Sequence, residues 1–187
     1  NGINYVDTAW PYHQGESEKV VGKALKDGYR EKVYLATKLP IWECETEKDL
    51  DKIFNKQLEK MEVESIDFYL LHALDEGHWQ TVKDLDIIEW AEKKKEEGKI
   101  KYLGFSFHDS YSLFEEILEA HDWDFCQIQY NYLDVEYQAG KKGLQKAYSK
   151  GIEVVIMEPI RGGWLAQEPP QKKKKLFESE NENRTPV

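Results

Sequence analysis

Cysteine is scarce in this chain, and so is positive charge. Cys44 and Cys126 are the only cysteines among 187 residues, and neither sits in a C-x-x-C spacing. That argues against a disulfide framework or a thiolate zinc site and fits reduced thiols in a cytoplasmic protein. Against 36 Asp+Glu stand 26 Lys+Arg, a net charge of -10. This is the wrong sign for a nucleic-acid surface, which needs clustered lysine and arginine. The one basic cluster, Lys172 to Lys175, lies in a polar stretch. No apolar run approaches the roughly 18 residues of a membrane span, and no charged-then-apolar segment opens the chain. His13, His78, His108 and His121 have no metal-ligand spacing among them. The glycine-rich G-x-G-x-x-G turn of a dinucleotide-binding doubly wound sheet is absent as well.

What is present is an alternation. Apolar runs of strand length fall at 3–8, 32–39, 65–72, 100–107, 125–131 and 152–159. Between them lie stretches with helical spacing at 17–26, 46–61, 82–97, 110–120 and 141–149. Thr46, with Glu47 and Asp49 after it, marks one helix start, and Gly98 and Gly151 mark two stops. Nearly continuous apolar strands alternating with helices belong to parallel sheets covered by helices. The unit recurs about every 30 residues, as in a (β/α)₈ barrel, a fold of about 250 residues. Six units are two short of eight, so either the sheet is open or the chain is a truncated barrel. Residues 1–165 are expected to form this partial barrel and 166–187 a polar tail. The chain opens on Asn1 and closes on Val187 in what reads as the start of another helix, so it is expected to be incomplete.

Ionisable residues gather where the strands end. Asp7 closes the first run, Lys38 the second and His72 the third; Ser106 ends the fourth, Gln127 lies on the fifth and Met157 ends the sixth. In a barrel these ends share one face, and the chemistry sits there. Tyr12 follows Asp7 on a short loop. Each residue alone has an ordinary explanation: a turn aspartate, a solvated lysine, a rim histidine, a surface aromatic. Together they form an acid–base set. A phenol is a weak proton donor at neutral pH, its reference pKa being about 10, and an ammonium beside it favours the phenolate. A buried lysine needs a counter-charge, which an aspartate supplies, and a histidine can hydrogen-bond a carbonyl oxygen. Such a set would protonate a carbonyl oxygen while hydride reaches the carbon. No side chain donates hydride, so a nicotinamide cofactor would be needed.

The segments Asn4-Tyr5-Val6-Asp7-Thr8-Ala9-Trp10-Pro11-Tyr12, Ala36-Thr37-Lys38, Leu70-Leu71-His72, Gly104-Phe105-Ser106, Gln127-Ile128-Gln129-Tyr130-Asn131 and Glu158-Pro159-Ile160-Arg161-Gly162-Gly163 occur in this order. In that combination the chain resembles the aldo/keto reductase family, in wording most like the microbial branch whose longer members carry a C-terminal iron–sulfur segment. The resemblance implies a (β/α)₈ barrel, of which this chain would hold strands two to seven and lack the first and eighth, that reduces small aldehydes or ketones with NADPH, NADH not being excluded, and an iron–sulfur cluster only in a further C-terminal extension. It implies Tyr12 as general acid, Lys38 as its activator, Asp7 as partner of Lys38 and His72 as the group orienting the carbonyl. Ser106 and Gln127 would hold the nicotinamide carboxamide, Met157 would lie against the ring, and Glu158, Pro159 and Ile160 would line the diphosphate path. Phe107 stands where many relatives have asparagine. The family also contains potassium-channel β subunits, so a non-catalytic binding module and an inactive fragment are the alternatives, and cofactor binding is expected to be weak or absent.

Overall fold

The computed structural model describes residues 2–167. The basic cluster Lys172 to Lys175, and all of the expected tail after Gln167, lie outside the described residues. Six strands, β1 (Tyr5–Asp7), β2 (Tyr34–Leu39), β3 (Ile66–Leu74), β4 (Ile100–Phe107), β5 (Phe125–Gln129) and β6 (Glu153–Met157), form one sheet. Each strand is the parallel neighbour of the next, in the order β1-β2-β3-β4-β5-β6. A doubly wound sheet reverses its order at a switch point; this one does not.

The sheet is curled. Strands four places apart in a flat sheet would stand on the order of 19 Å from each other. Here Gln127 Nε2 on β5 donates to Asp7 Oδ2 on β1 at 3.2 Å. Alternation along each strand sorts side chains into two layers. Ala36, Leu70 and Phe125 face inward, with Tyr5, Phe68, Tyr102 and Val155 against them. Leu35, Tyr69, Leu71, Phe105, Phe107 and Cys126 face outward into the larger core beneath the helices.

The helices are α1 (Ser17–Ala24), α2 (Glu47–Met61), α3 (Glu76–Asp84), α4 (Ile87–Glu96), α5 (Tyr111–Ala120) and α6 (Gly140–Ser149). In α2 the residues Leu50, Ile53, Phe54, Gln57 and Met61 are buried at helical spacing. Its first turn is closed by the Asp49 carboxylate, which accepts from Thr46 N at 2.9 Å. The single helix expected over 82–97 is two helices. Asp86 takes a left-handed conformation (φ 47, ψ 39) and breaks the run, while Asp75 caps α3 by accepting from His78 N at 2.8 Å. On α4, Lys94 reaches Asp51 on α2 at 3.0 Å and Lys95 reaches Asp124 at 2.6 Å. Most strands are shorter than their apolar runs, β1 by the largest fraction.

Cys44 and Cys126 are buried and unpaired, and burial pushes each thiol up to about 12. Gly104, on the inner face of β4, leaves room for the ring of Phe125; a Cβ there would stand 2.5 Å from the Phe125 carbonyl oxygen and 2.6 Å from its ring. Overpacking of this kind costs about 1–3 kcal/mol. Gly104→Ala is therefore expected to lower the unfolding free energy by about that amount, measured by urea denaturation, and a wild-type midpoint would contradict the tight inner packing.

Candidate active site

Asp7, Lys38, His72, Ser106, Gln127 and Met157 come from six successive strands. All lie at or near the C-terminal ends, the face on which barrel enzymes act. The structure brings the first five, with Tyr12, into one mouth. Lys38 is almost completely buried, and its three ammonium protons have three acceptors: Asp7 Oδ1 at 2.6 Å, Thr8 O at 2.9 Å and Tyr12 Oη at 3.4 Å. Removing one partner of such a pair leaves an uncompensated charge in the interior, at a cost of about 3–5 kcal/mol. Asp7 is held in turn by Gln127.

The chain leaves Tyr12 by an unusual turn. His13 (φ 51) and Gln14 (φ 58) both adopt left-handed backbone ahead of Gly15. This is a strained arrangement for non-glycine residues. The reversal leaves the phenol more than a third exposed while its oxygen meets Lys38.

His72 faces Tyr12 edge-on, ring centroids 6.0 Å apart, and Trp42 covers it from the side at 5.1 Å. Burial comes first, and then the charge of Lys38 with lesser contributions from His108 and His78; together they push the imidazole down from 6.5 to about 3. His72 is neutral at physiological pH, and its Nδ1 is buried without a hydrogen-bond partner among the described residues. Directly after it Ala73 is left-handed (φ 52), and the β3–β4 register shifts between Leu71 and Leu74. Ala73 N donates to Ser106 Oγ at 2.7 Å, and Ala73 O lies 2.8 Å from His78 Nδ1.

Ser106 and Gln127 are directly paired across β4 and β5, and Gln129 is paired with Met157 across β5 and β6. The Ser106 hydroxyl proton is not used by its bond to Ala73, and one Gln127 amide hydrogen and its oxygen are not used by the bond to Asp7. A donor beside a combined donor and acceptor fits a carboxamide. Phe107 points the other way, into the outer core against Phe105 and Phe114. Met157 is half-buried, and Glu158, Pro159 and Ile160 are exposed on the loop beyond it. Arg161 is engaged with Asp134.

Comparison with known proteins gives the family. The model of the aldo/keto reductase family matches residues 1–186. The NADH-specific methylglyoxal reductase of Escherichia coli (strain K12) is 29% identical over 191 residues, covering 88% of this chain and 54% of that protein. The methylglyoxal reductase YeaE of the same organism is 30% identical over 144 residues, covering 77% and 46%. Among solved structures, the holo form of the aldo-keto reductase AKR11C1 from Bacillus halodurans superposes with a TM-score of 0.76 at 30% identity, covering 99% of this chain and 65% of that one. The chain belongs to the aldo/keto reductase family. It spans about half the length of the curated relatives it matches.

Trp42 and His78 were not singled out in the sequence as neighbours of His72. Trp42 sits on a short turn (Ile41–Glu43) with no periodic pattern, and only Asp75, read as a helix cap, would have placed His78 near the mouth.

The state of His72 makes stability pH-dependent. Unfolded, the imidazole takes up a proton near 6.5, and folded only near 3. Between those values the unfolded chain binds more protons, so stability falls as pH falls, by about 1.4 kcal/mol per unit from this group. Urea unfolding from pH 6 to pH 4 is expected to show a shallower slope in His72→Gln than in the wild type; parallel slopes would contradict a buried neutral imidazole.

Proposed function

We propose that this chain carries the reducing centre of an enzyme that converts a small aldehyde or ketone, methylglyoxal foremost, to the alcohol. The observation that carries this is the fully engaged Lys38 ammonium touching both Asp7 and the Tyr12 oxygen, with a neutral imidazole facing the same phenol. The substrate is suggested by the names of the two Escherichia coli relatives.

A reduced nicotinamide dinucleotide would be held at its carboxamide by Ser106 and Gln127, near Met157 and the loop of Glu158, Pro159 and Ile160, and supplies hydride to the carbonyl carbon when bound. NADPH follows from the family resemblance and NADH from one relative's name; the proposal is for the dinucleotide chemistry they share. Tyr12 gives its hydroxyl proton to the carbonyl oxygen. Lys38 stabilises the phenolate left behind by donating to its oxygen, and Asp7 balances the ammonium. His72 orients the carbonyl. A buried Nδ1 without a partner is tolerated better as a bare lone pair than as an orphaned N–H, which places the proton on Nε2, ready to donate.

Tyr12→Phe tests the proton donor. Turnover of methylglyoxal, followed through nicotinamide absorbance with NADPH and with NADH, is expected to fall about 10²–10⁴-fold. Dinucleotide affinity, read by fluorescence titration, is expected to hold. Turnover at the wild-type rate would overturn the role given to Tyr12.

A further inference from the structure

A second polar cluster lies on the outer side of β2, directly behind the mouth, and the proposed reaction does not use it. Glu18 of α1 is completely buried. Its Oε1 accepts from Thr37 Oγ1 and from Gln57 Nε2, each at 2.8 Å, and its Oε2 pairs with Lys60 Nζ at 3.1 Å. Gln57 also donates to the Lys38 carbonyl oxygen at 2.9 Å and accepts from Tyr69 Oη at 2.7 Å. A carboxylate this deep is costly unless every oxygen is engaged. The contacts lead towards β2, α2 and, through Tyr69, β3, save one.

The exception runs through Lys60. Its ammonium stands 3.6 Å from the centroid of the Trp10 ring. Trp10 belongs to the loop that joins Asp7 to Tyr12. That loop is tied at Thr8, whose hydroxyl donates to Ser17 Oγ at 2.8 Å and whose backbone N donates to Ala36 O at 3.0 Å. Beyond Thr8 it has the burial of Ala9, the packing of Trp10 against the outer core, the turn bond from Tyr12 N to Ala9 O at 3.1 Å and the long contact of the phenol with Lys38. An indole face is the preferred aromatic partner of a cation, and the attraction grows when the pair is shielded from water. Glu18 holds that cation in place from the interior.

We propose that Lys60, fixed by the buried carboxylate of Glu18, is a positioning residue for Tyr12: it grips the face of Trp10 and so sets the height of the phenol over Lys38. For its effect on turnover this rests on Tyr12 being the proton donor; for its effect on the loop it does not. A displacement of about 1 Å at a reacting group is enough to slow a reaction by up to about 10²-fold.

The test uses the whole chain with tyrosine labelled at ¹³Cζ, the Tyr12 resonance being identified by its loss in Tyr12→Phe. Lys60→Met keeps the apolar stem and removes the charge, and Lys60→Arg returns a cation. Lys60→Met is expected to move the Tyr12 resonance and to lower kcat for methylglyoxal about tenfold with KM nearly unchanged. Lys60→Arg is expected to restore both in large part. A folded Lys60→Met chain whose Tyr12 resonance coincides with the wild type overturns the proposal, even if its stability has dropped. Should the wild type show no turnover, the proposed reducing activity of this chain fails while the resonance still decides the positioning. Should Lys60→Met not fold, Trp10→Leu, which removes the ring and keeps the cation, must displace the same resonance; an unmoved signal there overturns the proposal.

Discussion

An ammonium group taken out of water must find acceptors for all of its protons, and around Lys38 this requirement organises the mouth. One acceptor is a carboxylate on β1, one a backbone oxygen at the start of the next loop, and one the phenol at that loop's end. Those three groups span the first strand and the turn beyond it. Satisfying one lysine therefore fixes the path of residues 7–12. The same demand explains why Asp7 is itself held, across the curled sheet, by Gln127. A carboxylate free to swing would leave the cation unbalanced for part of the time.

The inner and outer faces of the sheet divide the labour. Inside, the layer beneath the mouth is aromatic, with Tyr5, Phe68, Tyr102 and Phe125 meeting edge to face or tilted. Such packing is rigid and leaves little room for polar rearrangement. Outside, the polar groups of α1 and α2 reach the backbone of β2 at Lys38 through Gln57. The strand that presents the lysine is braced on both faces.

Much of this was legible in the amino-acid sequence. The six strands and their parallel winding follow from apolar runs of strand length separated by helical spacing, and Asp7, Lys38 and His72 were visible because each closes such a run. What stayed hidden was burial that only tertiary contact creates. Glu18 and Lys60 lie in amphipathic helices, where a charged residue ordinarily faces water, and nothing local distinguishes them from Lys19 or Glu59, which do. The break at Asp86 was hidden for a similar reason: Leu85, Ile87 and Ile88 keep an apolar rhythm going across a left-handed residue. The bulge at Ala73 carries no glycine to announce it.

The pairing around Lys38 has a bearing on which molecules the mouth can attract from a distance. Asp7 cancels the ammonium, all three of its protons are engaged, and His72 contributes no charge near neutrality. Arg161, on the neighbouring loop, is cancelled by Asp134. Neither of these two cations is left uncompensated to attract an anion that approaches the opening.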